Sequence, residues 1–111
     1  MDRAMVWSIA VMASLLASSQ AQAQQTNQAK RGLSVAKMVC APCHSVEKRS
    51  RRSPDAAAPR FEDVANSPGM TAMAISAALQ TTPHRTMPKY KLNSEALDVL
   101  TTYILSLKRA K

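Results

Sequence analysis

Apolar positions along the chain recur at helical spacing and nowhere alternate convincingly as a strand, so the pattern predicts an all-α protein. The clearest segment is the last. Ser94 is expected to cap a helix that carries Glu95 and Asp98 in its first turn, where carboxylates complement the positive end of the helix dipole. Leu97, Leu100, Ile104 and Leu107 form one stripe beside Tyr103, and Lys108, Arg109 and Lys111 lie at the negative end. An earlier segment, Asn27 to Cys40, reads as a first helix with Thr26 or Asn27 as its cap and Leu33, Ala36, Val39 and Cys40 on one face. Ser67-Pro68 has the form of an N-cap followed by proline at the first helical position, leading into Met70 to Gln80. In that Ala-rich stretch Met70 and Met73 are expected to fill gaps in the core, as is Met38 in the first helix.

The connections are distinct in composition. Ser45 to Pro59 contains Lys48, Arg49, Arg51 and Arg52, then Pro54, an alanine triplet and Pro59, and reads as a loop. Thr81 to Asn93 contains Pro83 and Pro88 and cannot be continuous helix, so it is expected to wrap as an extended loop with Met87 near its middle. No internal repeat is visible.

The N-terminus changes the picture of what is folded. The apolar run from Ala4 to Ala17, broken by Ser8 and Ser14, is too short to span a bilayer. The Ala21-Gln22-Ala23 that follows offers small residues at the alternate positions a signal peptidase accepts. Residues 1–23 are therefore expected to be a cleaved signal peptide and 24–111 the single mature domain, exported to the periplasm without stable membrane insertion. An uncleaved helix is the competing reading. The mature chain keeps 14 Lys and Arg against 6 acids, a net charge of +8. Export and the lack of basic runs interleaved with aromatics argue against a nucleic-acid ligand; an acidic protein partner or membrane surface accounts better for the charge.

The mature segment has only Phe61, Tyr90 and Tyr103 as aromatics and no Trp, a poor core for so small a domain. A buried apolar group bound by the chain would supply the missing surface. Cys40-Ala41-Pro42-Cys43-His44 is a C-x-x-C-H motif, the pattern of c-type haem attachment. Two thiols three positions apart can each add to one vinyl group, and the adjacent His is then placed to ligate iron. Zinc would need further ligands, and only His84 remains. A disulfide or a thioredoxin-like dithiol is the more serious competitor, but such a pair opens a helix after a strand, whereas this one follows a helix.

Other segments share a pattern with these. Gly32 stands eight residues before Cys40; His44 continues into Ser45-Val46-Glu47-Lys48; and Thr86-Met87-Pro88 is followed by Leu92, Glu95, Asp98 and Tyr103. Together they make the mature chain resemble the class I cytochromes c. That resemblance implies a small cytochrome c fold, three or more helices wrapped around one covalently bound haem c. It implies thioethers from Cys40 and Cys43, axial iron ligation by His44 and Met87, and a Pro59 carbonyl that steadies the haem His. His84 is an alternative ligand for a bis-His site, although an exposed position or a propionate contact suits it better. Tyr103 is expected to pack against the first helix. Two departures stand out: Ala36 replaces an aromatic four residues before the first Cys, so the packing of first against last helix is expected to be looser or to use Leu33 and Tyr103, and the family's Trp near a propionate is missing, with Tyr90 or Arg60 as candidate substitutes.

The function implied is single-electron transfer in the periplasm with no catalytic residues, between acidic partners such as a dehydrogenase, a quinol-linked complex, or a terminal oxidase or reductase. Lys48, Arg49, Arg51 and Arg52 are the candidate docking residues. A haem subunit of a periplasmic dehydrogenase complex is the nearest alternative. A haem peroxidase or gas-binding protein, in which Met87 dissociates, and a dithiol oxidoreductase are more distant ones.

Overall fold

In the computed structural model the described residues are 3–81, 87 and 90–110, with side chains described from residue 16 onward. They form four helices, α1 (Arg3–Val39), α2 (Phe61–Asn66), α3 (Ala72–Thr81) and α4 (Ser94–Ser106), and no strand occurs among them. The all-α expectation therefore holds. Among the described residues no helix is long and apolar enough to cross a membrane.

The first helix starts at Arg3, well before the expected Asn27, and runs through Ala23 without a break. The reason is local: no Gly precedes Gly32 and no Pro precedes Pro42, and the Ala-, Leu-, Met- and Gln-rich sequence favours helix throughout. Residues 16–28 are exposed, and burial begins at Ala29 and Gly32. The packed body is thus the last part of α1 with everything that follows.

That part of α1 lies against α4. Gly32 sits where a Cβ would overlap the carbonyl oxygen of Val99 and come within 2.5 Å of Tyr103 Cβ, so the backbones approach as only glycine permits. Ala36 is fully buried in the same contact. Of the two arrangements expected without the aromatic, the looser one is not found: the small residues bring the helices close, and Leu33 and Tyr103 pack there. Tyr103 is buried as expected, and its hydroxyl donates to Val46 O at 2.5 Å, tying α4 to the chain after α1. Leu100, Ile104 and Leu107 complete the core with Val46, Phe61, Ala65 and Ile75.

Helix α2 was not anticipated. At six residues it is too short to display a period, but Phe61 and Ala65 are both buried, as an i, i+4 pair on one face must be. Beyond it Gly69 takes the left-handed conformation, φ 73°, in the turn that follows Ser67 and Pro68. The next helix consequently begins at Ala72 instead of after Ser67, with Thr71 Oγ1 accepting from Ala74 N at 3.1 Å. Similarly, Asn93 caps α4, not Ser94: its side chain accepts from Ala96 N at 2.7 Å.

Two of the three core methionines are misplaced by the sequence reading. Met38 and Met73 are 75% and 80% exposed, while Met70 packs half-buried against the core. Each exposed Met lies two residues from a buried one, Ala36 and Ile75 respectively, which puts it on the far side of its helix. Asn66, at the end of α2, donates to Glu62 O and Leu107 O and accepts from Arg109 N, and Lys108 Nζ donates to Met70 O. These bonds fasten the end of α4 across the α2–α3 turn.

Candidate functional site

Where α1 ends, the chain winds on in tight turns. Cys40 N and Ala41 N both donate to Ala36 O, and Cys43 N and His44 N both donate to Cys40 O, at 2.8 to 3.1 Å. This irregular exit buries Cys40 and His44 and leaves Cys43 half-buried. Both cysteines are free thiols. The Cys40 thiol is pushed up to about 11, first by burial and then by the neighbouring Cys43, so it is neutral at physiological pH.

The loop that follows is folded back onto the motif. His44 Nδ1 lies 2.7 Å from Pro59 O, Phe61 N donates to Ser45 O, Asp55 N to Cys43 O, and Ser45 N to Ser53 Oγ. A carbonyl oxygen can only accept, so Nδ1 carries a proton in this contact, and in the neutral imidazole the lone pair is then on Nε2. The Phe61 ring sits against the imidazole with centroids 5.5 Å apart and planes tilted by 52°. The His44–Pro59 contact expected from the resemblance is therefore present.

Cys40, His44, Pro59 and Phe61 open onto a cavity with an empty volume of about 660 Å³, part of it continuous with solvent. Val64 of α2, Met70, Ile75, Ala78 and Leu79 from α3 and the turn before it, and Ile104 of α4 line the rest. Met87 joins this lining from the connection between α3 and α4. Four of the five sequence-predicted site residues, Cys40, His44, Pro59 and Met87, are thus gathered at one apolar cavity. Cys43 is not part of the wall; it is held beside it by the turn it shares with Cys40. Pro83, His84 and Pro88 fall outside the described residues.

The donor groups at this cavity are the imidazole of His44 and the thioethers of Met70 and Met87, with the thiol of Cys40 in the wall. Such a set suits a soft transition metal carried inside an apolar group. Among the described residues no three His, Cys, Asp or Glu side chains gather as a bare metal site. The lining residues that the sequence did not single out, Phe61, Val64 and Ile75, carry no chemical signature and are recognised only once α2 and α3 are placed.

Outside the cavity, Lys48, Arg49, Arg51 and Arg52 are all exposed. The ion pairs among the described residues are Arg31–Glu95, Lys37–Glu47 and Arg60–Asp63, so none of the four is neutralised by a carboxylate. Arg49 adopts φ 64°, the one non-glycine residue in the left-handed region among those described, and its backbone N–H donates to the Glu62 carboxylate at 3.1 Å. Arg60, a candidate for the missing propionate partner, directs its guanidinium to Asp63 and to Ser50 O instead, while Tyr90 is exposed.

No family model matches the chain, and no curated protein or solved structure matches it.

Proposed function

We propose that this chain holds one covalently attached haem c and moves single electrons outside the cytoplasm. The observation that carries the reading is the convergence of a C-x-x-C-H motif and a distant methionine, Met87, on one apolar cavity. The fit is good on several independent counts. The cavity wall is almost wholly apolar, as the wall of a pocket for a large apolar group must be. The two thiols are unpaired, and with Nδ1 of His44 committed to Pro59 O, Nε2 is the nitrogen left to bind a metal in the neutral ring.

In this reading Cys40 and Cys43 would hold the group through thioethers, and His44 and Met87 would supply its iron ligands. Bound there, a haem supplies a one-electron couple. The chain's own residues set its character. Pro59 O fixes the imidazole plane and strengthens its donation to iron. Met87 would offer a soft thioether, which favours the ferrous state and suits electron transfer over substrate binding. Val64, Ile75 and Leu79 exclude water from the wall, which disfavours added charge at the centre.

The un-neutralised Lys48, Arg49, Arg51 and Arg52 suit encounter with an acidic redox partner, a dehydrogenase, a quinol-linked complex or a terminal oxidase or reductase. Removal of residues 1–23 on export to the periplasm would leave the packed body, which begins at Ala29, intact. The neutral, buried Cys40 thiol counts against thiol–disulfide exchange, which needs a ready thiolate. The test is Met87→Ala: it should abolish the weak far-red absorption band of Met-ligated ferric haem and open the ferrous form to carbon monoxide. Persistence of the band would remove Met87 from the ligand set. Complete carbon monoxide binding by the unaltered protein would favour the gas-binding or peroxidase alternative.

A further inference from the structure

We propose that Arg60 is a positioning residue that locks the Pro59 carbonyl onto His44. The oxygen that accepts from His44 Nδ1–H belongs to the peptide bond joining Pro59 to Arg60, so any rotation of that peptide plane moves it off the ring. Arg60 is held on three sides. Its own carbonyl accepts from Asp63 N and Val64 N at 3.0 and 3.1 Å, as the residue before α2. Its guanidinium grips the Asp63 carboxylate with two parallel bonds, Nε to Oδ2 at 2.7 Å and Nη2 to Oδ1 at 2.6 Å. Its Nη1 reaches across the loop and donates to Ser50 O at 2.7 Å.

The last bond is the informative one. It closes residues 50–60 into a ring, and inside that ring lie the other anchors of the motif, Asp55 N donating to Cys43 O at 3.1 Å and Ser53 Oγ accepting from Ser45 N at 3.0 Å. On the α2 side Phe61 N donates to Ser45 O at 2.9 Å. The Pro59–Arg60 peptide is therefore clamped from the helix by Asp63 and from the loop by Ser50, with one side chain serving both. Only arginine can do this, because the task needs three N–H groups in fixed directions within one plane; a lysine ammonium is a point charge without the fork. Arg52 lines the same surface groove and makes none of these bonds, so it supplies an internal comparison.

The effect on iron rests on the haem reading above; the latch itself does not. A firm Nδ1–H···O=C bond gives the imidazole more anionic character, which favours ferric iron, so a loosened latch raises the reduction potential. Arg60→Lys is the decisive variant because it keeps the charge and loses the fork, and Asp63→Glu, which keeps the charge and displaces the carboxylate, tests the same bond should the first variant fold poorly. Two readouts are taken on the exported protein: solvent exchange of the His44 ring N–H by nitrogen-15 NMR, and the midpoint of a redox titration.

Exchange should quicken about tenfold or more in Arg60→Lys or Asp63→Glu, the scale of losing one hydrogen bond that holds the acceptor. The midpoint should rise, and Arg52→Lys should change neither. Exchange within about twofold of the unaltered protein, or an equal response in Arg52→Lys, would overturn the latch. The ring proton can be read with or without haem. A haem-free protein whose proton still depends on Arg60 would sink the haem reading and support the latch; a haem-loaded protein whose proton ignores Arg60 would do the reverse.

Discussion

Replacing Gly32 with alanine adds one methyl group at the closest approach of α1 and α4, and its consequence can be worked from the geometry. The new Cβ would overlap Val99 O, lie 2.5 Å from Tyr103 Cβ and lie 2.7 Å from Val99 C. Carbon atoms in contact ordinarily sit about 3.5–4.0 Å apart, so the helices must separate by roughly 1 Å. Neither obstacle is a flexible side-chain end. Val99 is helix backbone, and Tyr103 is anchored through its hydroxyl to Val46 O. Overpacking of this kind costs about 1–3 kcal/mol and more where the walls cannot yield, against a gain of about 1 kcal/mol in helix propensity for alanine over glycine. The expected net loss is about 2 kcal/mol, which for a domain of this size lowers Tm by roughly 8–16 °C. Thermal unfolding followed by far-ultraviolet circular dichroism measures it, with Ser34→Ala on the exposed face of the same helix as the comparison, expected to stay within about 0.5 kcal/mol of the original. If Gly32→Ala left Tm unchanged or raised it, helix propensity alone would be operating, and the close crossing of α1 over α4 would be wrong.

Two further outcomes concern hydrogen bonds and charge. Tyr103→Phe strands the buried Val46 carbonyl and should cost about 1–3 kcal/mol in chemical denaturation. Burial first, and Glu47 second, raise the Tyr103 phenol above its ordinary value, so the folded state holds that proton more tightly than the unfolded one. Its stability is complete below the ordinary phenol value and declines as pH rises toward the raised one, a decline that Tyr103→Phe should lack. At the acid end, Arg31 holds the Glu95 carboxyl, and Arg60 the Asp63 carboxyl, below the ordinary carboxylate range. Their contribution is present above that range and lost as pH falls through the lowered folded values; since Arg31, Glu95 and Asp63 are exposed and Arg60 is half-buried, it should shrink in high salt. Denaturation midpoints between about pH 6 and 3 that fall equally in a Glu95→Gln, Asp63→Asn double variant would contradict this assignment.

What could be read from the sequence was what is encoded locally. The stripe of α4 and the C-x-x-C-H motif each lie within a few turns of chain; Leu100, Ile104 and Leu107 of the stripe are buried, and of the motif Cys40 and His44 reach the cavity while Cys43 stays beside it. Met87 and Pro59 are different: each lies far from His44 in sequence, and both came from resemblance, not from any period or propensity. Helix α2 stayed hidden because six residues hold too few turns to show a face, and the start of α3 was misread because Gly69, not Pro68, decides where the backbone can turn helical. Met38 and Met73 show the limit of residue-type expectation, since one turn of the wheel decides exposure and both sit opposite a buried neighbour. The polar clamps of Asn66 and Arg60 left no signal at all. Asn66 meets Leu107 across 41 positions, and nothing in either neighbourhood announces the pairing.

The most direct test of the central claim is whether the exported chain carries covalent haem. The protein is run on a denaturing gel and stained for haem peroxidase activity, with intact mass measured on the same sample. A haem-positive band at the mass of the chain from Gln24 plus one haem, with haem no longer covalently held when Cys40 and Cys43 are both replaced by alanine, is the result predicted. A haem-negative band of unmodified mass from cells competent to mature c-type cytochromes would contradict it.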